Sequence, residues 1–257
     1  RSTRKESSAA SDVYKKQIMT NPCRRHFQRT TAAVAAAAVA GPAMTMEGAS
    51  VYELHLAKLQ QDYLRLKQVQ STEGKAELKR QLLPEYSPYV EGVLAEGKGA
   101  QDQVMTTLMV WRMDATDFAG ALDIADYVIT HSLLMPDRFE RTTGTIVAEE
   151  IAEAALKAQK AGGAFDLGLL LRTAKITAKE DMPDQARAKL HLAIGKALSA
   201  GVSDDAPASS ALEPLELAKT HLARAIELHT NCGGKKDLER VEPVSYTHLT
   251  LPTTPYV

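Results

Sequence analysis

The chain has 257 residues, with 31 Lys and Arg against 32 Asp and Glu, a formal net charge of −1 at pH 7. That balance excludes a protein that coats nucleic acid through bulk positive charge, so any DNA contact must come from a local patch. Two cysteines are too few for a disulfide framework and favour a reducing compartment, and aromatics at 5% leave the core to Leu, Ala, Val, Ile and Met.

Both ends read as foreign to the rest. The opening RSTRKESSAASDVYKKQ and the closing PVSYTHLTLPTTPYV resemble translated sequencing-adapter read-through. Residues 1–18 and 244–257 are therefore set apart from fold reasoning. The start is then expected at Met19 and the true C-terminus beyond residue 243. The first eighteen residues carry five basic and two acidic side chains, which leaves 26 basic against 30 acidic, a net of −4. The remaining 225 residues suit one large or two small domains.

Residues 19–50 read as a basic, Ala-rich N-terminal arm. Within Met19–Arg29, Arg24, Arg25 and Arg29 stand without an acid. The run TTAAVAAAAVAGPAM that follows holds about ten apolar residues, half a membrane span, so no membrane association is expected. Residues 51–83 read as a long helix. Tyr52, Leu56, Leu59, Tyr63 and Leu66 recur at the spacing of a narrow seam, which suits either self-pairing into a homo-oligomer or packing on its own domain. Pro84 is expected to stop that helix.

Residues 84–163 form the expected central helical domain. Ser87 reads as an N-cap with Pro88 at the first helical position and Gly97 beyond the end. Val104, Leu108 and Trp111 line the next helix with Met105 and Met109, and Phe118, Ala121, Leu122, Ala125, Val128 and Ile129 line the one after. Thr142–Lys160 is helical in pattern and stops at Gly162-Gly163. Residues 164–243 read as a C-terminal helical-hairpin domain. Within it AKLHLAIGKAL (188–198) and AKTHLARAIEL (218–228) share six of eleven positions at an offset of 30. Such copies suggest tetratricopeptide-like repeats, or chance likeness between Ala/Leu-rich helices. No genuine segment reads as a strand. The expected class is all-α: a long N-terminal helix, a central helical bundle and C-terminal hairpins.

Four constellations bear on chemistry. Asp114, Asp117, Asp123 and Asp126 fall within thirteen residues and invite a Mg²⁺-dependent phosphodiesterase reading, which needs several oxygen ligands around paired ions. The blander reading makes Asp117 an N-cap and Asp126 a solvated side chain. Cys23-x-x-His26 mirrors His229-x-x-Cys232, together a Cys₂His₂ set that would suit Zn²⁺ if the halves met; otherwise they are unrelated thiols and imidazoles. GKGAQD (97–102) lacks the GK[ST] ending of a phosphate loop, so no nucleotide site is expected and an ATP motor must lie in another chain. For DNA, the compact clusters are Arg24-Arg25-x-x-x-Arg29, interleaved with His26 and Phe27, and Lys79-Arg80, with Lys75 one turn before. A flexible arm and a solvated helix face are their ordinary alternatives.

The phrases RQLLPEY, GAQD, MVWRMDA, DFAGALDIADY and MPDRFERTTG, with MTNPCRRHF near the start, resemble the small terminase subunit of tailed temperate phages, the family described as the terminase endonuclease subunit. The likeness runs from Met19 to Glu242. It implies a cytoplasmic packaging factor that binds double-stranded viral DNA and docks on a large ATPase subunit, with an endonuclease role for the complex. The residues do not say which chain cuts. A non-catalytic helical-repeat adaptor is the alternative.

Overall fold

The computed structural model describes residues 22–38, 46–136, 140–202 and 208–249; at Arg24 and at 35–38, 46–50, 208–211 and 243–249 it describes the backbone alone. The structure is all-α: ten helices and no strand among the described residues. Two compact units divide between Pro136 and Asp137. Of the set-apart residues 1–18 and 244–257, residues 1–18 and 250–257 lie outside the described part, and the backbone of 244–249 is helical.

The first unit holds α1 (Pro22–Ala38), α2 (Met46–Gln68), α3 (Thr72–Glu96), α4 (Gln103–Asp114) and α5 (Phe118–Thr130). The long helix expected over 51–83 is two helices. The break falls at Ser71, whose hydroxyl accepts from the Gly74 amide at 3.0 Å and so starts α3. Pro84 does not end that helix, and Ser87 and Pro88 lie inside it rather than at its start. A proline in a helix interior costs about 3 kcal/mol. Here Pro84 is exposed, so the carbonyl it orphans can face water, while Leu82, Tyr86, Tyr89, Val90 and Val93 are buried on the opposite side. Burial of that many large side chains outweighs the hydrogen bonds that Pro84 and Pro88 forgo.

The basic segment expected to be an arm is largely the helix α1, laid along α3. Gly92 permits the approach: a Cβ there would stand 2.6 Å from the Arg29 carbonyl oxygen and 2.7 Å from the Ala32 Cβ. The seam of α2 is filled from within the unit, with Leu59 and Leu66 buried and Tyr63 edge-on to Trp111 at 5.4 Å. Trp111 also takes Tyr86 edge-on at 6.3 Å, and Val104, Met105, Leu108 and Met109 complete the core from α4.

Two buried carboxylates are fully engaged. Asp62 accepts from Lys58 (2.9 Å), Arg65 (3.0 Å) and the Tyr86 hydroxyl (2.8 Å), which hold its carboxyl below the usual range against the burial that would raise it. Asp102 caps α4, accepting from the Val104 and Met105 amides at 2.8 and 3.0 Å and from the Tyr89 hydroxyl at 2.6 Å. Burial nonetheless pushes its carboxyl up. The loop before it is closed: Gly97 caps α3, and the Gly99 amide donates to the Tyr127 hydroxyl at 2.9 Å.

The second unit holds α6 (Thr143–Lys160), α7 (Leu167–Ile176), α8 (Asp184–Ala200), α9 (Ala208–Leu228) and α10 (Lys235–Leu249). Thr142, read as the first helical residue, is instead the N-cap of α6. The two eleven-residue copies fall in α8 and α9, which pack on each other. Gly195 in α8 makes that contact close, since a Cβ there would meet Leu222 at 2.7 Å. Each copy therefore supplies one helix, whereas a tetratricopeptide unit supplies two, so the copies do not establish tetratricopeptide-like repeats. Lys189 ties α8 to α6 through Glu149 (2.8 Å) and Glu153 (2.6 Å), and Lys196 ties it to α10 through Asp237 (2.7 Å).

Candidate nucleic-acid interface

The cations expected to hold DNA fall in two places on the first unit. On α1, Arg25 and Arg29 are 60% and 57% exposed and share the one carboxylate of Glu91 at 3.7 and 3.8 Å. Two guanidinium groups on one carboxylate leave a net positive charge, and such loose exposed pairs contribute only about 0–1 kcal/mol. A phosphate can therefore compete for them. Phe27 stands exposed between them in sequence, and His26 is exposed as well. The Arg24 side chain lies outside the described residues.

On α3 the picture differs. Lys79 is only 15% exposed and is ion-paired with Asp114 at the end of α4. Arg80 pairs with Glu77 and donates from Nε to the Ala115 carbonyl at 3.3 Å. Lys75, one turn earlier, is half-buried. Beside Arg80 opens a cavity of about 420 Å³, lined by Leu83, Pro84, Ser87, Arg112, Thr116 and Asp117 among others. Arg112 pairs there with Asp117 at 3.1 Å, and its Nε is buried without a hydrogen-bond partner. Gly120 makes room for it: a Cβ would stand 1.8 Å from Arg112 Nη1. Thr116 turns the chain at φ 66°, an uncommon left-handed value for a β-branched residue. Three cations and three carboxylates meet at this corner, so it carries no net charge.

Two of the carboxylates that invited a nuclease reading are engaged elsewhere. Asp114 holds Lys79. Asp117 caps α5 through the Gly120 amide at 3.0 Å and holds Arg112, while Asp123 and Asp126 are exposed on α5. Among the described residues no three His, Cys, Asp or Glu are placed to share a metal ion. Of the zinc candidates, Cys23 and His26 are exposed on α1 in the first unit, and His229 and Cys232 are half-buried after α9 in the second. Among the described residues no helix is long and apolar enough to cross a membrane.

Three features here were missed in the sequence: Glu91, Arg112 with its glycine seat, and the pair His191 and His221. Only the last left a signal. The two histidines occupy the same position of the duplicated eleven-residue stretch.

Comparison with known proteins places the chain. The model of the phage small terminase subunit family matches residues 56–185. The chain is 44% identical over 224 residues to the terminase endonuclease subunit of Escherichia phage P2, covering 87% of this chain and 85% of that one. It is 26% identical over 231 residues to a probable terminase endonuclease subunit of Haemophilus phage HP1, covering 84% and 80%. No solved structure matches. The chain belongs to the phage small terminase subunit family.

Proposed function

We propose that this chain binds double-stranded viral DNA and delivers it, in the cytoplasm of the infected cell, to a large ATPase subunit that packages it into the capsid. The single observation that carries the reading is the 44% identity, along most of both chains, to a subunit named for its place in a terminase. The exposed guanidinium pair of α1 supports it, because those two arginines keep a net positive charge after their shared partner Glu91 is counted. The concatemer-cutting step is assigned to the complex of the two subunits. The chain acts as a homo-oligomer in this scheme, which gives a tethered array of α1 helices along one duplex.

The test is mobility shift of a duplex carrying the phage packaging region, with and without the large subunit. Retardation at low salt that fades as salt rises, and a slower complex when the large subunit is added, are expected. A chain that joins the large subunit but retards no duplex is instead the helical adaptor.

A further inference from the structure

His191 on α8 and His221 on α9 face each other with their Nδ1 atoms 2.9 Å apart and ring centroids 5.0 Å apart. A nitrogen–nitrogen contact of that length needs one proton between two lone pairs, so one imidazole donates and the other accepts. Both rings are half-buried. Arg187 lies one turn before His191 on α8, Arg224 lies one turn after His221 on α9, and both guanidinium charges are near enough to act on His191. Arg187 spends Nη2 on the Glu180 carbonyl at 2.6 Å, and Arg224 spends Nη1 on Glu227 at 2.6 Å. Each guanidinium has five N–H donors, so neither is exhausted.

The charged groups that act on His191 are His221, Arg224 and Arg187, and no carboxylate is among them. The carboxylates that reach α8 from its other neighbours are bound elsewhere: Glu149 and Glu153 of α6 by Lys189, and Asp237 of α10 by Lys196. Among the described residues the hairpin thus gathers two guanidinium groups and two protonatable rings, with Glu227 bound to Arg224. Proteins ordinarily surround a histidine pair with an acid when it must stay charged, or with apolar groups when it must stay neutral.

We infer that His191, His221, Arg187 and Arg224 form a binding site for a phosphate-class oxyanion, which takes up a proton from solution as it binds. The anion's oxygens accept from the two guanidinium groups. Its charge favours the imidazolium form, so the proton shared between the rings is joined by a second and each ring then donates outward. Burial depresses both rings, and for His191 the facing His221 and the two arginines add to it and bring it to about 4, so the bound anion and the proton reinforce each other. The inference stands apart from the DNA reading of the first unit, because either a nucleic-acid backbone or a free oxyanion supplies the same chemistry.

The experiment is imidazole NMR on the full chain, following both ring signals through a pH titration in chloride, in sulfate, and with a short duplex. Sulfate is the probe because it does not itself titrate in this range. If the protonated pair holds the anion tenfold more tightly than the neutral pair, the midpoint rises by about one pH unit. That rise is expected in sulfate, and it should shrink in Arg224→Gln, which changes an exposed side chain and leaves the helix contact intact. Arg187→Gln should shrink it likewise. A duplex that produces the same rise and is displaced by sulfate identifies backbone phosphate as the source; a rise with sulfate alone identifies a free oxyanion. One midpoint shared by chloride, sulfate and duplex overturns the site, and so does a rise that both arginine variants leave at full size.

Discussion

Lys79, a cation expected to reach DNA, is ion-paired with Asp114, a carboxylate expected to hold a metal. The two residues are thirty-five apart in sequence and join α3 to the end of α4. Each reading of the site therefore loses a member to the other. Asp114→Asn should release Lys79 and remove one negative charge beside Arg80, tightening duplex binding at low salt by about two- to fivefold. Lys79 is mostly sheltered, so the same change should cost about 0.5–1.5 kcal/mol of stability in a denaturant titration. Unchanged DNA affinity would mean that this corner faces away from the duplex.

Gly92 sets how closely α1 lies on α3. Gly92→Leu should prise the helices apart and cost about 1–3 kcal/mol or more, far above any gain in helix propensity. Far-UV circular dichroism would stay helical while the urea midpoint falls. A midpoint equal to the wild type would mean that α1 does not hold this position in solution.

Asp102 is the cap on which the core helix α4 starts. Asp102→Ala strands two amides and the Tyr89 hydroxyl in a buried place, with an expected loss of about 2–4 kcal/mol. Asp102→Asn keeps an accepting oxygen and should lose less. Comparing the two by thermal unfolding separates the cap from the charge.

The His191–His221 pair makes stability depend on pH, with a determinate sign. Both rings titrate below their ordinary value, His191 at about 4, because burial, and for His191 also the nearby cations, disfavour the charged form. The unfolded chain, with histidines near 6.5, then binds more protons than the folded one as acid is added. The contribution is fully present above about pH 6.5 and is lost as pH falls from there toward 4. Since the rings are partly solvated, the loss should be about 1–2 kcal/mol between pH 7 and 4. His191→Gln with His221→Gln should flatten that limb in low-anion buffer, and a slope of undiminished size would assign the effect to other groups.

What the sequence made legible was mostly what one turn of chain decides. Asp117 caps its helix and Gly97 ends α3, since each acts on amides or carbonyls a few residues away. The apolar faces of α4 and α5 were readable for the same reason, as their period is local. Pro84 misled because its cost is local while the compensation, the buried face of Leu82, Tyr86 and Val90, is tertiary. The arm became a helix because Gly92, sixty residues on, leaves space for it. The pairing of Lys79 with Asp114 and the meeting of two histidines thirty residues apart belong to the packing of helices, which no short window contains. The family phrases reach further than any of these arguments, yet they name the subunit without naming its contact residues.

The account rests most heavily on Arg25 and Arg29 reaching the duplex from α1. Both are exposed and share one loose partner, so Arg25→Ala with Arg29→Ala should change stability by no more than about 0.5 kcal/mol. The deciding measurement is the slope of log binding constant against log salt for wild type and this double variant on one duplex. Each lost phosphate contact lowers that slope by about 0.9, so the variant should be shallower by about 1–2 and weaker at low salt. Two parallel lines of equal affinity would contradict the account.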